Sequence, residues 1–227
     1  MMATENPRLN FWQLHYRRQF LLSSSPRRHF PSWQKTKVSN CFYLEVHPDL
    51  ELTQVKNSYL ELTLLGYIID PDHPENDNNA ILQNIVDRPF HFEALFQHTF
   101  NFSGRWIIIF SDKDGVLLFN DPCGLRSVYY SSLFSAPFYC ASQPGIIAEF
   151  RDAQYKKEAQ KDFFKTSAFL KNVEYWWPSG TSLYEGIEHL TPNHFLDLKN
   201  KKVRRFWPER KIVPIPLDYG IEKASDL

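Results

Sequence analysis

The stretch from Gly104 to Asn120, GRWIIIFSDKDGVLLFN, constrains the fold more than any other part of the chain. Residues 104–110 and 116–120 are two runs of β-branched, aromatic and leucine side chains. Between them, residues 111–115 carry Asp114-Gly115, a dipeptide that tolerates the positive φ of a tight hairpin turn. Two strands joined so closely must pair antiparallel, so the domain is expected to be built on antiparallel sheet.

The rest of the chain extends this pattern. Residues 11–22 are irregularly apolar and end at Ser23, Ser24, Ser25 and Pro26, as one or two strands running into a loop. Residues 40–47 and 58–69 read as strands joined by a turn around Pro48 and Asp49; Tyr59, Glu61 and Thr63 alternate with Leu60, Leu62 and Leu64. The loop DPDHPENDNN, residues 70–79, is rich in turn formers and helix caps. Two short amphipathic helices are expected after it, at 80–86 (Ile81, Leu82, Ile85) and 92–100 (Phe92, Leu95, Phe96), with Pro89 between them. Residues 127–131 and 137–141 form a further strand pair, 143–151 a helix packed by Ile146, Ile147 and Phe150, 152–170 a longer charged helix, and 181–198 an irregular segment with a last strand. Strands, then paired helices, then strands imply an α+β fold with antiparallel sheets. From Trp207 the chain turns proline-rich, so one domain is expected over 1–208 and a linker, or the start of a C-terminal synthetase-like domain, over 209–227.

Composition excludes several functions. Lys plus Arg and Asp plus Glu both number 26, so no global field draws the chain to nucleic acid or an anionic membrane. A local exception, Arg17, Arg18, Arg27, Arg28, Lys35 and Lys37 interleaved with Phe20, Phe30 and Trp33, reads as a solvated face or a crossing between strands in preference to a contact with an acidic partner. Cys41, Cys123 and Cys140 are too few and scattered for a disulfide framework or a zinc site, which fits a reducing cytoplasm; they read as small buried or half-buried residues. No signal peptide or membrane-length apolar run is present. The eight histidines include no HExxH, and His91 and His98, seven apart, lack a third ligand, so no metal site is expected.

The segments SGRWIIIFSDKDGVLLFNDPCGLRSVYYSS and FYCASQPGIIAEF, followed by LTPNHFLDLKNKKVRRFWP at 190–208, resemble the N-terminal glutaminase domain of asparagine synthetases, a class II glutamine amidotransferase domain. The correspondence covers residues 60–208 and implies a four-layer αββα sandwich of the N-terminal nucleophile hydrolase type. Within it, Asp121, Gly124 and Arg126 match the family's Asp-x-x-Gly-x-Arg turn. Independently, Gly124 permits a turn conformation costly to other residues, and Asp121 and Arg126 can pair or bond local backbone, so a structural role is expected for the three.

The chemistry of that family needs a cysteine at the mature chain start, whose free amine activates its own thiol. Here the sequence opens Met1, Met2, Ala3, Thr4, and processing further in to Thr4, Ser23 or Cys41 is the other route to a nucleophile. The family's oxyanion-hole Asn-Gly corresponds to Leu65-Gly66, where leucine offers no side-chain donor, a loss worth ~100-fold or more in rate. Its carboxylate-clamping Arg has no counterpart in residues 41–47, and its substrate-binding Asp corresponds to Asp77, which also suits a helix cap. Leu65, Gly66 and Asp77 are therefore the expected remnants of a glutamine pocket, with no catalytic residue.

The resemblance then implies a pseudoenzyme domain, as in β-lactam synthetase, that serves as scaffold or partner-binding module for an asparagine-synthetase-type ATP-dependent ligase domain or chain. ATP and Mg would belong to that partner, since no SGGxDS loop occurs here, and a homodimer is a further possibility. Two alternatives stay open: an active glutamine-hydrolysing domain with an unconventional or processed nucleophile, and a peptide-binding module using a sheet edge in modified-peptide maturation. The aromatic run Tyr175, Trp176, Trp177 and Pro178 is an interface anchor or a core plug in equal measure.

Overall fold

The computed structural model describes residues 16–26, 29–88, 92–166, 171, 177, 180–208 and 213–225. Among them, two six-stranded antiparallel sheets are numbered in chain order. The first is ordered β10 (Ile187–His189), β8 (Tyr129–Ser131), β9 (Tyr139–Ala141), β1 (Phe20–Ser23), β3 (Phe42–Val46), β2 (Gln34–Val38). The second is ordered β12 (Lys202–Arg205), β11 (His194–Asp197), β7 (Val116–Asn120), β6 (Ser103–Asp112), β5 (Leu60–Ile69), β4 (Leu52–Lys56). The helices are α1 (Asn78–Val86), α2 (Phe92–Thr99), α3 (Pro144–Arg151), α4 (Lys157–Phe164) and α5 (Leu217–Ser225).

Residues 106–110 of β6 and 116–119 of β7 are apolar on both faces because both faces are covered. On one face, Leu65 of β5, Ile107 and Ile109 of β6, Val116 and Leu118 of β7 and Leu196 of β11 meet Phe20, Leu22, Leu44, Val46 and Cys140 of the β1 sheet. One residue along each strand, Leu64, Trp106, Ile108, Phe119 and Phe195 face the other way, onto Ile81, Leu82 and Ile85 of α1 and Leu95 and Phe96 of α2. The β1 sheet repeats the arrangement, with Leu21, Tyr139 and Ala141 packed on Ile146 and Ile147 of α3. This period-2 partition makes four layers, helix, sheet, sheet, helix, so the fold is the expected α+β αββα sandwich.

Several elements differ from the sequence reading. The basic aromatic stretch is not a solvated crossing alone: Gln34–Val38 is an edge strand, and Phe30 and Trp33 are buried, stacked with ring centroids 4.0 Å apart. Residues 40–47 and 58–69 are not joined by one turn, because β4 intervenes and β3 and β5 belong to different sheets. The charged stretch 152–170 yields only α4 among its described residues; before it Tyr155 bridges Tyr184, so the chain is extended there. No helix of the described residues is long and apolar enough to cross a membrane.

One buried carboxylate ties the 29–33 segment to the sheet. Glu45 of β3, with its side chain 5% exposed, accepts hydrogen bonds from the backbone N–H of Phe30 (2.8 Å) and His29 (2.9 Å) and pairs with His29 Nδ1 at 2.8 Å. Burial alone would raise its pKa, but the bonds from His29 and Phe30 outweigh burial and hold it below the usual carboxylate value. Its folded pKa is thus below its unfolded one, so the stability it contributes is complete above about pH 4.3 and lost as pH falls through the lower folded value. Glu45→Gln should therefore cost about 3 kcal/mol at neutral pH in chemical denaturation. The gap from the wild type should narrow on acidification; a gap independent of pH would contradict this.

Candidate functional site

Where the two sheets part, a cleft of about 760 Å³ opens at the ends of several elements. Arg17, Arg18 and Gln19 enter it ahead of β1, Asp49 and Glu51 ahead of β4, Gly66 and Tyr67 late in β5, and Arg105 from β6. The turn Leu125–Arg126–Ser127, Tyr129 of β8, and Ser142, Gln143 and Pro144 at the start of α3 complete it. The sandwich itself explains this placement: the layers bury the middles of the inner strands, and polar groups are accessible at their ends.

The turn that follows β7 is built to aim Arg126. Gly124, at φ +64, donates its N–H to Asp121 O at 2.8 Å, and a Cβ there would lie 2.7 Å from Pro192 Cγ. The Asp121 carboxylate, 1% exposed, accepts the backbone N–H of Leu125 (2.9 Å) and of Arg126 (3.0 Å), while Asn120 Nδ2 donates to Arg126 O (3.1 Å). With its backbone held, Arg126 reaches across the gap between the sheets: Nε donates to Arg105 O and a terminal nitrogen to Arg18 O, both at 3.4 Å. Arg18 adopts φ 60, a left-handed conformation that costs about 1 kcal/mol or more outside glycine.

Gly66 makes room for this arginine. At φ +100, a Cβ on Gly66 would sit 2.2 Å from Arg105 O and 3.0 Å from Arg126 Nε. Its N–H donates to Glu51 O at 2.9 Å, continuing the β4–β5 ladder by one bond beyond the Leu52–Leu65 pair. Asn78 locks the same place: Nδ2 donates to Glu51 Oε1 (2.6 Å) and to Gly66 O (3.1 Å), and Oδ1 accepts from Ile68 N (3.0 Å).

The cleft is cationic. Its lining holds four arginines against the carboxylates of Asp49 and Glu51. Asp49 is engaged by Arg17 at 2.5 Å, which holds its carboxyl below the usual range, and Glu51 is engaged by Asn78. Arg126 has its proton affinity lowered, first by burial and then by the charges of Arg105 and Arg18, against the opposing pull of Asp121 and Tyr67.

Of the residues singled out from sequence, Gly66 and Arg126 meet in this cleft, with Asp121 and Gly124 in the turn beneath. Leu65 does not join them; it is fully buried between the sheets. Asp77 caps α1, its Oδ1 accepting from Ala80 N at 2.8 Å, and borders a separate hollow with Glu51, Thr53 and Gln54. The reading of the three cysteines as buried or half-buried is corrected for two of them: Cys140 is buried, its thiol pushed up by burial, whereas Cys41 and Cys123 are exposed in turns. Cys41 precedes β3 at the end away from the cleft, roughly 16 Å along a strand at ~3.3 Å per residue, and Ser23 likewise closes the far end of β1, opposite Tyr43. Thr4, His91 and most of the Tyr175–Pro178 run lie outside the described residues; Trp177 is half-buried and meets Phe163 at 5.1 Å.

Arg18, Arg105, Tyr67, Glu51 and Asn78 escaped the sequence reading as site residues. They come from separate elements, and no spacing links them; the available signals were Arg18 in the basic aromatic stretch and Arg105 in GRW, beside a glycine. Among the described residues, no group of three His, Cys, Asp or Glu side chains is placed to hold a metal ion.

No family model and no curated protein matches the sequence. Among solved structures the chain is similar to a glutamine phosphoribosylpyrophosphate amidotransferase from B. subtilis, complexed with ADP and GMP, at 12% identity over 90% of this chain and 48% of that one, with a TM-score of 0.44. It is also similar to a structure described as the allosteric regulatory enzyme of purine biosynthesis, at 12% identity over 90% of this chain and 47% of that one, with a TM-score of 0.43. This chain spans about half the length of both.

The close approach at Gly66 gives a direct test. Gly66→Ala should lower stability by about 3 kcal/mol or more in chemical denaturation, because the obstacle is the backbone oxygen of Arg105 and the conformation is left-handed. A change under about 1 kcal/mol would show that the strand is less tightly held than described.

Proposed function

We propose that this chain is a glutaminase-like domain of the class II amidotransferase type without glutaminase chemistry. Its role is scaffold or partner-binding module for an asparagine-synthetase-type amide ligase, with ATP and Mg handled by that partner. The observation that carries the reading is the state of the cleft where such chemistry would take place. The Gly66 N–H, the group corresponding to the family's oxyanion donor, is committed to Glu51 O at 2.9 Å. An oxyanion hole requires donors left free to meet developing charge, and the neighbouring Leu65 offers none.

The nucleophile position supports the same reading. The residues leading into β1 at the cleft are Arg17, Arg18 and Gln19, and neither a cysteine nor a histidine is among the lining residues described. Of the serines that line it, Ser142 Oγ accepts from Phe20 N at 3.1 Å, which ties β1 to the start of α3. The motifs from Gly104 to Pro208 that resemble the asparagine synthetase domain go instead into the hairpin, the Asp121–Arg126 turn and the outer strands.

Incubating the purified chain with glutamine tests the proposal: ammonia release should not exceed that of a protein-free control. Glutamine-dependent release abolished by Cys41→Ala, or by Ser142→Ala, would overturn it in favour of an active hydrolase.

A further inference from the structure

Arg18, Arg105 and Arg126 share one concave surface with Arg17, four guanidinium groups against the two carboxylates of Asp49 and Glu51. Among the described residues none of the three forms an ion pair; the cleft's ion pair is Arg17 with Asp49. Their hydrogen bonds go to neutral backbone oxygens: Arg126 to Arg105 O and Arg18 O, and Arg105 Nε to Leu125 O at 2.9 Å. The Asp121 carboxylate is close enough to attract Arg126, but both its oxygens are taken by backbone N–H groups.

A purely structural bridge between the sheets would account for Arg126. It would not account for two further arginines at the same mouth, whose charges oppose that of Arg126. In a chain of balanced charge, 26 basic against 26 acidic residues, this is a local excess. Gathering like charges in a concavity is unfavourable unless an anion completes the group. Other features of the lining agree in sign: α3 begins at Pro144 with no side-chain cap from Gln143, so its positive dipole end borders the cleft.

The cleft also offers more than a point charge requires. Its volume of about 760 Å³ falls in the range of small-molecule sites. Tyr67 and Leu125, 49% and 55% exposed, provide apolar surface at its edge, and Gly66 leaves the floor beside Arg126 free of a side chain.

We propose that this cleft binds a small organic molecule through a carboxylate or phosphate group held among Arg18, Arg105 and Arg126. Guanidinium forks suit both oxyanions, since each presents paired acceptor oxygens. Anion capture here does not require the ligase partnership, and it needs no nucleophile.

Titration of the full chain with inorganic phosphate and with succinate, at constant ionic strength and followed by calorimetry, tests this. At least one should bind with one-to-one stoichiometry, and which one does identifies the group. Arg105→Gln and Arg18→Gln, both at exposed positions, should each weaken binding by roughly 10-fold, as the loss of one charge-assisted bond implies. Arg204→Gln, on exposed β12, should leave it unchanged. Failure of both anions to bind, wild-type affinity in both cleft variants, or an equal loss in Arg204→Gln would overturn the proposal. Ammonia release from glutamine would end the scaffold reading and leave this one standing, because the two are read by different assays.

Discussion

The seam between the two sheets, where Leu65, Ile107, Ile109 and Leu118 meet Phe20, Leu22, Leu44 and Val46, is the contact on which the other layers depend. Each of these side chains is fully buried, and burial of this kind contributes about 1.5–3 kcal/mol apiece. Because strand side chains alternate, filling the seam fixes what the opposite faces must do. Trp106, Ile108 and Phe119 are turned outward and need α1 and α2; Leu21 and Tyr139 need α3. A slip of one residue in β5 or β6 would exchange the two faces. Leu64 and Leu65 therefore hold their register through their partners as well as through backbone bonds.

A sandwich packed in this way leaves its polar chemistry at the strand ends, and the close approach at Gly66 decides what that chemistry is. Without a side chain there, Arg126 can lie over the strand and touch the Arg105 carbonyl of β6 and the Arg18 carbonyl just ahead of β1. The same glycine gives its N–H to Glu51, and Asn78 clasps Glu51 and Gly66 O together. Charge and geometry thus combine: the cleft is rich in fixed positive charge, while the Gly66 N–H beside it is already engaged by Glu51 O.

How much of this was legible in the sequence depended on whether the signal was local. The hairpin was readable because Asp114-Gly115 and its flanking apolar runs sit together, and α1 because Asp77 and the spacing of Ile81, Leu82 and Ile85 are contiguous. β2 and β4 were missed since edge strands carry polar side chains: Gln34 and Lys35 are exposed, as are Gln54 and Lys56, and no apolar alternation marks them. The α4 stretch was read too long because its charged residues favour helix, yet none of α4 is buried and only packing sets its ends. The cleft was the least legible. Gly66 and Arg126 were singled out through motifs, but Arg18, Arg105 and Glu51 reach the site from elements that only the fold brings together, and sequence spacing carries no trace of that.

Amide hydrogen exchange at Gly66, measured by NMR, tests most directly whether the cleft is locked in the arrangement described here. The account predicts an amide protected to the degree of its β5 neighbours Leu64 and Leu65, and no loss of that protection when glutamine is added, because the N–H stays on Glu51 O. Fast exchange at Gly66 beside protected neighbours, or a loss of its protection on adding glutamine, would mean the donor is free to serve an oxyanion and would contradict the account.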